Sequence, residues 1–156
     1  MLFKVDEIIC YIDLTDQSTK VLRCAMDIAL RYYANLTVIH IMEQPKKSLV
    51  DALERTISKE QLVEISNRMA EDCHREFNNF CKREKNELVD VSVEMKSVFL
   101  SEGISHEEII AQAKQKNADL IIMGKNNNYS NNYGQKLIGN TTLGVLLGSD
   151  IPILCI

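Results

Sequence analysis

Leu120-Ile121-Ile122-Met123 is an unbroken apolar run, bracketed by Asp119 before it and Gly124 after it. A strand with one wet face alternates apolar and polar residues, whereas a short run without alternation fits a strand covered on both faces. That restricts the chain to layered folds in which helices pack above and below a sheet. After the run, Gly124 opens a polar loop, and Gly139-Asn140-Thr141 stands at the start of the next helical pattern. A strand feeding a small-residue loop and then a helix N-terminus leaves backbone N–H groups pointing outward, a geometry suited to phosphate. The stretch Ala118–Ile156 therefore reads as buried strand, Gly/Asn loop, short helix and last strand.

The preceding chain supplies the sheet. Ile8–Ile12 is short, apolar and β-branched, and ends at the polar corner Asp13-Leu14-Thr15-Asp16. Val21, Leu22, Ala25, Ile28, Ala29 and Tyr32 then recur at helical spacing, with Ser18 as the expected N-cap. Leu36–Met42 is a second buried strand, and the helical crossover between the two makes them parallel. Glu43–Ser58 begins as loop at Pro45, and its end has helical character. Ser58-Lys59-Glu60-Gln61 fits a capping box. It opens a long amphipathic helix to about Asn86, whose stripe Leu62, Ile65, Met69, Cys73, Phe77 and Phe80 is expected to pack on the core. Val89, Val91, Val93 and Met95 alternate with polar residues and lead into Val98-Phe99-Leu100, which predicts a half-exposed strand near a sheet edge. Ser105-x-x-Glu108 fits a second capping box, with Ile109, Ile110 and Ala113 on one helix face. The order β-α-β-α-β-α-β-α-β, with no internal repeat or linker, predicts a single α/β domain over residues 1–156: a three-layer, Rossmann-like parallel sheet with helices on both faces. Ligands in such sheets sit beyond the carboxyl ends of the strands, at the switch point.

A length of 156 residues suits one domain with its own core. A formal charge of −4 speaks against a dedicated nucleic-acid binder, which carries a basic face. Cys10, Cys24, Cys73, Cys81 and Cys155 lie in apolar patterns without a C-x-x-C pair, as expected of reduced thiols in a cytoplasmic protein. The N-terminus shows no cationic leader pattern, and no apolar run approaches the roughly 18 residues of a membrane span, so neither export nor a membrane partner is expected.

Asp13, at the end of the first strand, has two readings that residue type alone does not separate. Its carboxylate is suited to a ribose hydroxyl, a base or a hydrated cation, and equally to bonding its own turn. Gly124 and Gly139 allow a phosphate close to the backbone, while Asn140, Thr141 and Thr142 add side-chain donors. Lys125 is placed either to neutralise a phosphate or to solvate the loop. Asn126–Tyr133, rich in Asn, either substitutes for glycine or forms an exposed segment. His40, His74 and His106 lie on three different elements without metal-site spacing, so satisfied or exposed histidines are expected. No Walker A motif, G-x-S-x-G elbow or H-E-x-x-H is present, and nothing reads as a nucleophile placed beside its base.

Four places together resemble the universal stress protein family over essentially the whole chain. They are the corner Ile12-Asp13-Leu14-Thr15; the strand Val38-Ile39-His40-Ile41-Met42; the segment from Val98 and Gly103 through Ile109-Ile110 to Ala118-Asp119-Leu120-Ile121-Ile122-Met123-Gly124; and Gly139-Asn140 followed by Pro152-Ile153-Leu154. The resemblance implies a five-stranded parallel sheet of order 3-2-1-4-5. It also implies a homodimer joined by antiparallel pairing of Pro152–Ile156, an apolar edge that otherwise invites aggregation. Nucleotide-binding members resemble G-x2-G-x9-G-(S/T). Here Gly124 matches the first glycine, Asn127 stands where the second belongs, Gly139 arrives two residues late, and Asn140 replaces Ser/Thr. The resemblance therefore implies a regulatory adenine nucleotide, ATP or another, with Mg²⁺ as its companion ion. Ile12, Asp13, Leu14, Thr15, Ile41 and Met123 are expected on the nucleoside side, and Gly124, Lys125, Asn127, Gly139, Asn140 and Thr141 on the phosphate side. The alternative is a stress-protein dimer without nucleotide, acting through contacts with another protein. Enzymatic activity is not expected beyond slow ATP hydrolysis, since no general base or arginine finger reads in the loop.

Overall fold

The computed structural model describes residues 3–87, 93–125 and 138–156. The elements are β1 (Glu7–Tyr11), α1 (Ser18–Tyr32), β2 (Asn35–Ile41), α2 (Lys47–Glu54), α3 (Lys59–Glu87), β3 (Met95–Leu100), α4 (Ser105–Gln115), β4 (Leu120–Met123), α5 (Asn140–Gly148) and β5 (Ile153–Cys155). The five strands form one sheet of order β3-β2-β1-β4-β5, every pairing parallel, as the resemblance implies. The half-exposed strand lies at an edge, as β3, although its pairing begins only at Met95. Val89 and Val91 fall outside the described residues.

Period-two alternation sorts the strand residues into two buried layers. Ile8, Cys10, Ile12, Leu36, Val38 and Ile122 face α1 and the C-terminal half of α3. Ile9, Tyr11, Ile39, Ile41, Ile121 and Met123 face α4 and α5. A buried carboxylate joins the helices of the first layer: Glu84, 1 % exposed, accepts from Arg23 Nε at 2.8 Å and Arg83 Nε at 3.3 Å. Asp119 fixes the two central strands at their start, its Oδ2 accepting the backbone N–H of Asp6 at 2.8 Å and of Glu7 at 3.0 Å.

Three expectations need correction. Ser18 and Ser105 are not N-caps; each is the first residue of its helix, behind Gln17 and Ile104, and neither helix has a side-chain cap. The hydroxyl of Ser18 is drawn instead to Asp13. The stripe on α3 packs only over its second half. Phe77, Phe80 and Cys81 are buried, but Ile65 and Met69 are exposed, as is Val63 beside them. The helix runs about 44 Å, while a six-residue strand covers only about 20 Å, so its first turns overrun the sheet. The capping box at its start holds: Ser58 N–H donates to Gln61 Oε1 at 3.0 Å, and Gln61 N–H to Ser58 Oγ at 3.2 Å. The stretch before it carries α2, which packs against α3 and buries no residue fully.

Candidate functional site

The site is defined by where β1 and β4 end. Tyr11 pairs with Ile39 of β2 on one side and with Met123 of β4 on the other. Continued past the strand ends, these registers set Ile41 alongside Asp13, and Gly124-Lys125 alongside Ile12-Asp13. The corner after β1 and the exit of β4 thus lie side by side at the carboxyl edge, where the strand order reverses.

The corner is tightly made. Asp13 Oδ1 accepts from Thr15 N–H at 3.1 Å, Thr15 Oγ1 at 2.6 Å and Ser18 Oγ at 3.1 Å. Leu14 takes a left-handed conformation, φ 59°, to permit the turn. Ser18 N–H then donates to Thr15 O at 2.9 Å, launching α1. The local-turn reading of Asp13 therefore describes a real part of its bonding. Ile12 turns its side chain into the layer beneath α1, away from Ile41 and Met123, and its carbonyl accepts from His40 Nδ1 at 2.8 Å.

The other wall is made by β4 and α5. Met123 is buried, Gly124 half-buried and Lys125 exposed. Lys125 N–H donates to Ile156 O at 3.0 Å, extending the pairing with the last strand. Gly139, in extended conformation, is the N-cap of α5 and supplies no side-chain bond to the N–H groups of the first turn. Asn140 is exposed there and Thr141 half-buried. Thr142 ties this turn to β4, its Oγ1 donating to Gly124 O at 2.9 Å. Sequence reasoning grouped Thr142 with the ligand donors, but this buried hydroxyl is a tether. Asn127 and the Asn126–Tyr133 segment lie outside the described residues.

Below the site, helices α4 and α5 interlock. An added Cβ at Gly144 would lie 2.5 Å from His106 Cγ, so only glycine lets α5 seat against the first turn of α4. Burial pushes the phenol of Tyr11, in the same layer, up to about 12, with the Ser105 side chain acting in the opposite direction. On the opposite face of the sheet, a cleft of about 770 Å³ opens between the corner and α3, with Leu14, Thr15 and Thr19 on one wall and Arg75, Asn79 and Phe80 on the other. Leu14 and Thr15 therefore border a space that the other described candidate residues do not line.

The structure also corrects the reading that no nucleophile stands beside a base. Cys73 Sγ of α3 lies 3.3 Å from His40 Nε2. His40 lies on a buried strand and Cys73 in the α3 stripe, but periodicity does not say which members of facing elements meet. Among the described residues no group of three or more His, Cys, Asp or Glu side chains is placed to hold a metal ion, and no helix is long and apolar enough to cross a membrane.

The family model for universal stress proteins matches residues 4–156, nearly the whole chain. The chain belongs to the universal stress protein family. A segment of 93 residues, 60 % of the chain, is 32 % identical to universal stress protein MJ0577 of Methanocaldococcus jannaschii, and that match spans about half of the relative, 53 %. The solved structure of MJ0577 superposes with a TM-score of 0.72 over 100 % of this chain and 96 % of that one, at 22 % identity. A universal stress protein in complex with cAMP gives a TM-score of 0.67 at 16 % identity, covering 98 % and 97 % of the two chains. One from Archaeoglobus fulgidus in complex with dAMP gives 0.58 at 15 % identity, covering 99 % and 98 %. At these identities the structural likeness establishes the fold.

Proposed function

We propose that this universal stress protein is a cytoplasmic, dimeric stress-response protein that binds an adenine nucleotide, ATP foremost, as a regulatory ligand at the carboxyl edge of the sheet. The observation that carries this reading is the side-by-side placement of the Asp13 corner and the β4 exit, with the uncapped start of α5 tied to Gly124 by Thr142. Asp13 and Thr15 receive the ribose, with the Leu14 turn shaping the corner, Ile12 offering backbone, and Ile41 and Met123 giving an apolar floor. Gly124, Lys125, Gly139, Asn140 and Thr141 face the phosphates, with Mg²⁺ arriving on the nucleotide; Asn127 is assigned to the same side from its place in the glycine motif alone. The helix start favours negative charge through its outward N–H groups and dipole. The related complexes with cAMP and dAMP support the ligand class.

The test begins with the purified protein, denatured and filtered, its filtrate resolved by ion exchange at an absorbance specific for adenine. A stoichiometric nucleotide identifies the ligand. Calorimetric titration with ATP and Mg²⁺ covers weaker binding, and absence of both heat and thermal shift would overturn the reading.

The alternative, a protein-contact dimer without nucleotide, shares the dimer of the first reading, and one observation bears on that dimer. Leu143, Leu146 and Leu147 of α5 are exposed, Leu147 by 80 %, and β5, with its exposed Leu154, is an edge strand of the sheet. Pairing of Pro152–Ile156 with a second copy would cover this edge, and the two readings share that dimer. Light scattering of wild type against a Leu147→Asp, Leu154→Lys variant tests it: a wild-type dimer that becomes a folded monomer supports the interface, and a wild-type monomer removes it.

A further inference from the structure

His40 and Cys73 form a pair outside the nucleotide reading. The ring is 6 % exposed and lies among Phe77 and Phe99, with centroids at 5.8 and 6.0 Å. Its Nδ1 meets the Ile12 carbonyl, which only accepts, so Nδ1 carries the proton in the neutral ring. Nε2 then presents a lone pair to Cys73, whose S–H donates to it. A nucleophile bonded to a base, with the base oriented by a third group, is the arrangement of an activated nucleophile.

The pair rests neutral. Burial lowers the His40 imidazole, and burial followed by the Glu76 charge raises the Cys73 thiol. Asp13, Glu76 and Glu43 nonetheless favour a positive charge on the ring, so a proton arriving on Nε2 meets compensating carboxylates. Cys73 is half-buried, in contrast to the buried Cys10 and Cys81.

We propose that Cys73 is a site of thiol–disulfide exchange with a small-molecule disulfide, His40 acting as its general base. In the step, Nε2 takes the S–H proton as Sγ attacks one sulfur of the disulfide. A bond forms between Cys73 and that sulfur, the original S–S bond breaks, and the departing thiolate takes the proton back from Nε2. One disulfide replaces another, so no further oxidant enters.

The test incubates the full chain with oxidised glutathione, quenches at intervals and maps each cysteine by peptide mass spectrometry. Cys24, also half-buried and outside the proposed dimer edge, serves as the internal reference. Cys73 should react roughly a hundredfold faster than Cys24, the lower end of general-base assistance. His40→Gln should erase that advantage while leaving Cys24 unchanged. Equal or slower reaction of Cys73 in the wild type overturns the proposal, as does an unchanged Cys73 rate in a folded His40→Gln protein. If that variant instead labels Cys10 and Cys81, it has unfolded, and the wild-type ranking alone decides.

Discussion

The corner after β1 and the start of α5 both lie at the carboxyl edge of the sheet, yet they are finished differently. At the corner, three donors converge on Asp13 Oδ1, and a left-handed Leu14 is held in place. At the helix start, Gly139 contributes no capping side chain, and its neighbour Asn140 is exposed. The corner is built by its own bonds, whereas among the described residues no side chain caps the helix start. The contrast teaches that a nucleoside would meet a surface preformed by side chains, whereas phosphates would meet backbone N–H groups.

The most direct way to break this contrast is Asp13→Ala. It removes the acceptor that organises Thr15 and Ser18, and nucleotide affinity by calorimetry should fall by more than about a hundredfold, with charged hydrogen bonds of ~1.5–3 kcal/mol at stake. Unchanged affinity would remove Asp13 from the site. A second variant tests the floor beneath the corner. Tyr11 has its folded-state pKa raised to about 12 by burial, so it stays protonated where the unfolded chain ionises. Its contribution is fully present below pH ~10 and is lost as pH rises from ~10 through ~12, by about 3 kcal/mol in all. Urea unfolding across that window should show a shallower alkaline loss in Tyr11→Phe than in wild type. The loss persists in part, since Cys81 is also raised, to about 11.

Gly144→Ala attacks the opposite wall. The clash with His106 should cost about 1–3 kcal/mol in thermal unfolding. It should also weaken nucleotide binding while leaving the hydrogen bonds of the Asp13 corner intact by NMR. The smallest effect sharpens the contrast. Gly139→Ser supplies the missing cap and should stabilise the fold by a few tenths of a kcal/mol. It should weaken nucleotide binding slightly, because the serine oxygen takes an N–H meant for phosphate. Tighter binding would mean that the helix start is not where phosphate sits.

Much of the architecture was legible because it follows from local pattern. The unbroken runs at Ile8–Ile12 and Leu120–Met123 mark central strands, and the alternation ending at Leu100 marks an edge. Capping was less legible. Ser58 caps as its motif says, but Ser18 and Ser105 each fall one residue inside the helix, and the Ser18 hydroxyl goes to Asp13. The α3 stripe misled for a geometric reason: periodicity says which residues share a face and is silent on how far the covering surface extends. Ile65 and Met69 lie past its end. At the site, chain order and strand ends located Asp13 and Gly124, but the roles of Thr142 and of the His40–Cys73 pair depend on contacts between distant segments.

The sheet order has a consequence for synthesis. The first strand made occupies the centre of the sheet, and one of its two neighbours is β4, held to it by Asp119 across a separation of 113 residues. Until that neighbour leaves the ribosome, the nascent chain carries an apolar strand with one flank unpaired. At translation speeds of about 5–20 residues per second, that state lasts several seconds. Shielding the growing chain during those seconds, by a chaperone or by slow collapse of α1 and β2 around it, is therefore part of what this fold demands of its cell.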